Sequence, residues 1–172
     1  MNANCPIVAP RSKFLSTFQL DFWPTPHATV NQRFGTNPQN YAQFGLPGHD
    51  GVDIRAFLND PIRACVGGVV TLVDTGGTTP LGIFVRVQTV FNGVAHELTY
   101  CHLNSLNVVY GQTVASGAIV GLAGNTGNST GVHLHLGYEQ VGKTYKTQEG
   151  VVWPSNIHDP SPLLARLQPT LF

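Results

Sequence analysis

The chain has 172 residues, enough for one domain with a sizeable core. Nine Lys and Arg balance nine Asp and Glu, and only 10% of residues are charged. That balance gives no electrostatic reason to expect nucleic acid or an anionic membrane surface as a partner. No segment approaches the ~20 apolar residues of a membrane helix, so no membrane span is expected. After Met1 there is no basic region leading into an apolar run, so no targeting segment is legible. As written, the chain is expected to stay in the cytoplasm of the cell that makes it. Cys5, Cys65 and Cys101 make an odd count, so no disulfide framework is expected.

In chain order, residues 1–28 are irregular, with Pro6, Pro10, Pro24 and Pro26, and read as an arm laid on the domain. Residues 29–172 form the domain proper. Residues 31–50 are rich in Asn, Gln, Gly and Pro and are expected to be a long ordered loop. Strands follow. Val69–Val73 comes after a Gly67-Gly68 pair suited to a turn or bulge. The segment from Ile83 to Val90 alternates and is β-branched. Asn92-Gly93 is a hairpin signal, with Val94 to His102 as the returning strand. Gly117 to Ala123 and Val132 to Tyr138 are two more strands, and residues 162–167 one terminal helical turn. Gly (19) and Pro (12) favour turns between short strands. The expected fold is mostly β: a single domain on antiparallel sheet with long loops and little helix.

Four of the seven histidines sit in distinctive contexts. Gly131-Val132-His133-Leu134-His135-Leu136 is the sharpest. Residues i and i+2 of a strand share a face, so His133 and His135 project together while the leucines turn into the other layer. Gly48-His49-Asp50-Gly51-Val52-Asp53 pairs His49 with Asp53 four residues on, a spacing that shares a face in a strand or in a helix. Leu98-Thr99-Tyr100-Cys101-His102-Leu103 ends a strand in a third histidine. Two His and one Asp with a water suit four-coordinate zinc, which in catalytic sites keeps one position open. A remaining histidine can act as general base or stabilise an oxyanion. The helical zinc motif is absent, because Tyr100 stands where the second His after His96-Glu97 is required. His96 and His102 lie ~20 Å apart along a straight strand and cannot serve one ion. His27, His96 and His158 read as structural.

These residues resemble the lysostaphin-type (LytM-like) zinc endopeptidases. The resemblance rests on His49 to Asp53, on Tyr100-Cys101-His102-Leu103 and on Gly131-Val132-His133-Leu134-His135. It extends to Arg33-Phe34-Gly35, the Gly-rich stretch Gly121 to Gly131, and Asp159-Pro160, covering about residues 30–165. It implies a mostly β fold with a substrate groove, that His49, Asp53 and His135 bind Zn2+, that His102 and His133 are catalytic, and that the substrates are peptide stems or cross-bridges of peptidoglycan. The enzyme is expected to be a monomer. A non-catalytic zinc-binding or wall-enzyme-activating member of the same fold is the alternative. Cys101 replaces the small residue common before the middle His, and strand alternation is expected to turn it away from the site. With no leader legible, a phage-type lysin released at lysis would suit the chain.

Overall fold

A computed structural model describes residues 17–76, 78–147 and 150–171. Among these, no helix is long and apolar enough to cross a membrane. The fold is one antiparallel β-sheet. Its strands are β1 (Val30–Gln32), β2 (Gly51–Arg55), β3 (Pro61–Arg63), β4 (Gly68–Asp74), β5 (Ile83–Phe91), β6 (Val94–Leu106), β7 (Thr113–Val114), β8 (Ile119–Ala123) and β9 (His133–Gln140). The main path runs β1-β2-β9-β6-β5-β4-β7, and β8 pairs both β6 and β3 beside it. Helix is confined to single turns, among them α1 (Pro38–Tyr41) and α2 (Ser161–Leu164).

The β5–β6 hairpin forms where Asn92-Gly93 predicts it. Both residues have positive φ, 49° and 75°, as the tight two-residue hairpin turn demands. The segment 31–50 is not loop throughout. Its first two residues extend β1, and Pro38, whose fixed φ suits the first turn of a helix, opens α1. The strands β1, β3 and β7 have two or three residues each, too short for an alternation to be read.

Alternation sorts the sheet into two faces. Val52, Ile54, Leu98, Tyr100, Leu134 and Leu136 are fully buried on one face and form the core with Ile62, Val85, Val87 and Val120. Phe18 and Leu20 join that core, and Phe18 stacks on His96 with ring centroids 3.9 Å apart. Cys5, Pro6 and Pro10 lie outside the described residues. Cys65 and Cys101 are both buried and free. The Tyr100 ring sits in the core because its hydroxyl accepts a hydrogen bond from the Cys65 amide at 2.7 Å, which satisfies the polar end.

The other face is polar. Along β9 the register places His133 opposite Arg55, His135 opposite Asp53 and Gly137 opposite Gly51. On the far side of β9, Cys101 pairs with His135, Thr99 with Gly137 and Glu97 with Glu139. Arg86 of β5 reaches across this face to Glu97 and Glu139, at 3.4 and 3.2 Å.

Candidate metal centre

His49 and Asp53 do not lie on one strand. Asp53 is the middle of β2, and His49 stands two residues before the strand begins. The antiparallel register then sets Asp53 directly opposite His135, and His49 folds back over both. The result is a triangle of donor atoms. His49 Nε2 is 3.0 Å from Asp53 Oδ1, His135 Nδ1 is 3.1 Å from the same oxygen, and the two ring nitrogens are 2.9 Å apart. A tetrahedral zinc with bonds of about 2.0–2.1 Å holds its ligand atoms about 3.3 Å from one another. The triangle fits such an ion after a few tenths of an ångström of expansion. His49, Asp50 and His135 also bring potential donor atoms within 4.8 Å of one another. Asp53 is the better third donor, because it faces the same side of His135 as His49 does. Asp50 faces the opposite edge of that ring, with its Oδ1 3.6 Å from Nε2.

The two remaining histidines flank this triangle. His133 Nε2 lies 3.5 Å from Asp53 Oδ1. The His102 ring is 4.9 Å from that of His133 and 5.9 Å from that of His135, centroid to centroid. All five residues singled out in the sequence therefore meet at one place. His27, His96 and His158 do not. His27 contacts Asp60 at 2.9 Å, His96 Nδ1 contacts the Tyr138 hydroxyl at 2.7 Å, and the His158 ring packs on Tyr138 and Tyr145.

His102 reaches the site through a β-bulge. The register of β5 against β6 jumps from Val85–Tyr100 to Ile83–Leu103, so Phe84 alone opposes both Cys101 and His102. His102 takes φ 61° there, a left-handed conformation uncommon for non-glycine residues, although His, Asn and Asp adopt it more often than most. Bulges of this kind re-aim side chains and cluster beside active sites. The bulge also corrects the expectation for Cys101. Its register partner is His135, so it stays on the polar face and lines a small cavity of about 50 Å³ with Asp50, Arg86, His135 and Glu139. Regular alternation would have carried His102, and not Cys101, away from the site.

Three of the four site histidines are oriented from behind by backbone carbonyls. His49 Nδ1 faces the Arg33 carbonyl at 3.1 Å, His102 Nδ1 the Thr126 carbonyl at 2.8 Å, and His133 Nδ1 the Gly131 carbonyl at 2.7 Å. Thr126 is itself anchored, its hydroxyl donating to the Leu103 carbonyl at 2.7 Å and accepting from the Ile83 amide at 2.9 Å. These orienting groups lie in the Gly-rich stretch before β9 and beside Arg33-Phe34-Gly35. The composition of those stretches marked them, but backbone carbonyls leave no residue-type signal. Tyr41 also escaped the sequence reading. Its ring packs against His49 at 5.3 Å, and its hydroxyl accepts from Gln32 Nε2 at 3.0 Å.

Burial would push the Asp53 carboxyl up, but the contacts from His133, His135 and His49 outweigh it and hold it well below the usual carboxylate range. These contacts favour the ionised form of Asp53. Burial is also the largest influence on His102 and, with the neighbouring His135, brings its pKa down to about 4. In metal-free protein the His102 ring should stay neutral until the pH falls far below 6.5. A histidine depressed in this way binds its proton more readily in the unfolded chain. Its contribution to stability is complete above the unfolded pKa and is lost as the pH falls from about 6.5 towards 4. An NMR titration of the His102 ring proton checks this; a midpoint near 6.5 contradicts it.

Gly51 completes the arrangement. A Cβ there would lie 2.5 Å from the Leu136 carbonyl oxygen and 2.8 Å from Cε1 and Nε2 of His135. The ring occupies the space that any other residue would fill. Overpacking of this kind costs about 1–3 kcal/mol. Gly51→Ala should lower the melting temperature and weaken zinc binding together, since the shifted ring is a proposed ligand. A variant with unchanged melting temperature and zinc affinity would contradict that reading.

Comparison with known proteins agrees with this geometry. The chain is 33% identical over 118 residues to an uncharacterized metalloprotease of Haemophilus influenzae, which covers 67% of this chain and 24% of that protein. It is 36% identical over 93 residues to the peptidoglycan DD-endopeptidase ShyA of Vibrio cholerae, which covers 54% of this chain and 20% of that protein. The chain thus spans a quarter or less of the length of these relatives. Among solved structures, the catalytic domain of lysostaphin from Staphylococcus simulans superposes with a TM-score of 0.55 at 29% identity, over 69% of this chain and 80% of that domain. The pattern of peptidase family M23 matches residues 47–147, a span that holds the donor triangle, both flanking histidines and the bulge at Cys101-His102, and the chain belongs to that family.

Proposed function

We propose that this domain is a zinc-dependent endopeptidase that hydrolyses peptide bonds in the stems or cross-bridges of bacterial peptidoglycan. The observation that carries this reading is the meeting of His49 Nε2, Asp53 Oδ1 and His135 Nδ1 within 2.9–3.1 Å of one another, with His102 and His133 beside them. Three protein donors leave a fourth position open, which is the catalytic pattern of zinc; structural sites are normally closed by four. Zinc held there supplies an acidified water and polarises the scissile carbonyl.

His102 and His133 each have Nδ1 against a backbone carbonyl. When neutral, each therefore carries its proton on Nδ1 and leaves Nε2 with a free lone pair. One imidazole accepts the proton that the attacking water loses. In protonated form, the other donates to the carbonyl oxygen as negative charge builds on it. Neither has to leave the ion's donor set to do so. The carboxylate of Asp53 is committed to the donor triangle and is not available as a general base. The presence of all five side chains argues against a member of the fold that only binds and activates other wall enzymes.

Residues 29–172 are the peptidase unit in this reading. The test uses zinc-loaded protein and purified bacterial peptidoglycan, with mass spectrometry of the released fragments. Peptides with new amino termini on intact glycan strands are expected, and their masses identify the bond cut. Cleavage confined to glycosidic bonds, or no release from walls of several cross-link types, would overturn the proposal.

A further inference from the structure

We propose that Asp50 is a positioning residue for the metal centre: its carboxylate accepts the Nε2 proton of His135 and so fixes the nitrogen that His135 turns to the ion. The inference rests on the zinc reading above.

The four site histidines share a pattern. In each, the ring nitrogen turned outward faces an oxygen acceptor. For His49, His102 and His133 that acceptor is a backbone carbonyl, of Arg33, Thr126 and Gly131. For His135 it is a side chain. Nδ1 of His135 belongs to the donor triangle, and Nε2 on the opposite edge faces Asp50 Oδ1 at 3.6 Å. The His135 side chain is only 7% exposed, so water is a poor substitute partner. Among the described residues, Asp50 supplies the carboxylate that lies beside that nitrogen.

A neutral imidazole that offers Nδ1 to a cation must carry its proton on Nε2. An acceptor at Nε2 therefore selects the metal-competent tautomer before the ion arrives. A cation on Nδ1 makes the opposite N–H a stronger donor, and a carboxylate answers it better than a neutral carbonyl does. The 3.6 Å separation is longer than a hydrogen bond. The terminal torsion of Asp is broad, and the cavity of about 50 Å³ beside Asp50 and His135 leaves room for the carboxylate to turn. The missing Cβ of Gly51 opens the same edge of the ring. His49-Asp50-Gly51 thus supplies in three consecutive residues a donor, an orienting carboxylate and the space for the partner ring.

Loss of an outer partner of a metal-bound histidine typically weakens metal binding ~10–100-fold. In the full chain, Asp50→Asn should still take up one zinc at saturation but with a dissociation constant raised by about that factor in chelator competition. In zinc-loaded parent protein, ¹⁵N-edited NMR should show a hydrogen-bonded His135 Nε2 proton, shifted towards the free-imidazole position in Asp50→Asn. A dissociation constant within twofold of the parent would overturn the proposal. So would a variant that takes up no zinc at all, because Asp50 would then be a ligand. If Asp50→Asn does not fold, the parent spectrum decides alone: an unprotonated Nε2, or a proton with the shift of free imidazole, overturns the assignment. Failure of the zinc reading itself has a separate signature, since His135→Ala would then bind zinc as tightly as the parent whatever Asp50 does.

Discussion

His135→Ala is expected to lose nearly all of its zinc at ordinary free-metal concentrations, and wall cleavage with it. The reason lies in the donor count. Three side chains form the triangle, and removal of one leaves only His49 and Asp53 of that set, a bidentate site. The substitution also uncovers a charge. Asp53 is kept ionised largely by its contacts with His133, His135 and His49, so deleting one imidazole removes part of the support of a mostly buried carboxylate. Asp53→Ala should lose the metal equally. Elemental analysis of gel-filtered protein checks both variants. Full occupancy in either would remove that residue from the donor set.

The second large effect separates chemistry from binding. Substitution of His102 or of His133 should leave close to one zinc per chain and lower kcat by ~10²–10⁴-fold, the usual worth of a positioned acid–base group; a lost oxyanion donor costs ~10²–10³-fold. At position 102 the substitution should be Asn, because φ is 61° there and Asn tolerates the left-handed region better than Ala does. His133→Ala sits on a regular strand and needs no such care. The two variants should lower kcat with zinc content unchanged. Near-normal turnover in either would take that residue out of the mechanism, and loss of zinc along with activity would move it into the donor set.

The parts of this site that follow a period were legible in the sequence. His133 and His135 share a face because a strand alternates, and the leucines between and after them are fully buried as that alternation requires. The hairpin at Asn92-Gly93 was legible for a similarly local reason, since both residues tolerate positive φ. His49 and Asp53 were legible as a pair but not as a conformation, because a spacing of four suits either a strand or a helix. The structure uses neither alone: one residue is in β2 and the other is in the loop before it. The bulge at Cys101-His102 was hidden, because it is a break in the alternation from which the side-chain directions were inferred. Regular alternation counted from His102 therefore turns Cys101 to the wrong face. Asp50 was hidden for another reason. Its role depends on a ring contributed by a strand more than eighty residues later, through a register that no local pattern encodes. The carbonyls of Arg33, Thr126 and Gly131 act through backbone, which every residue carries.

The zinc reading and the peptidase reading meet in one titration. Metal-free protein is mixed with purified peptidoglycan, zinc is added in substoichiometric steps, and newly exposed amino termini on the wall are counted at each step. The account predicts cleavage that rises in proportion to zinc and levels off at one ion per chain. Cleavage at full rate in metal-free protein, or none after one equivalent of zinc has bound, would contradict it.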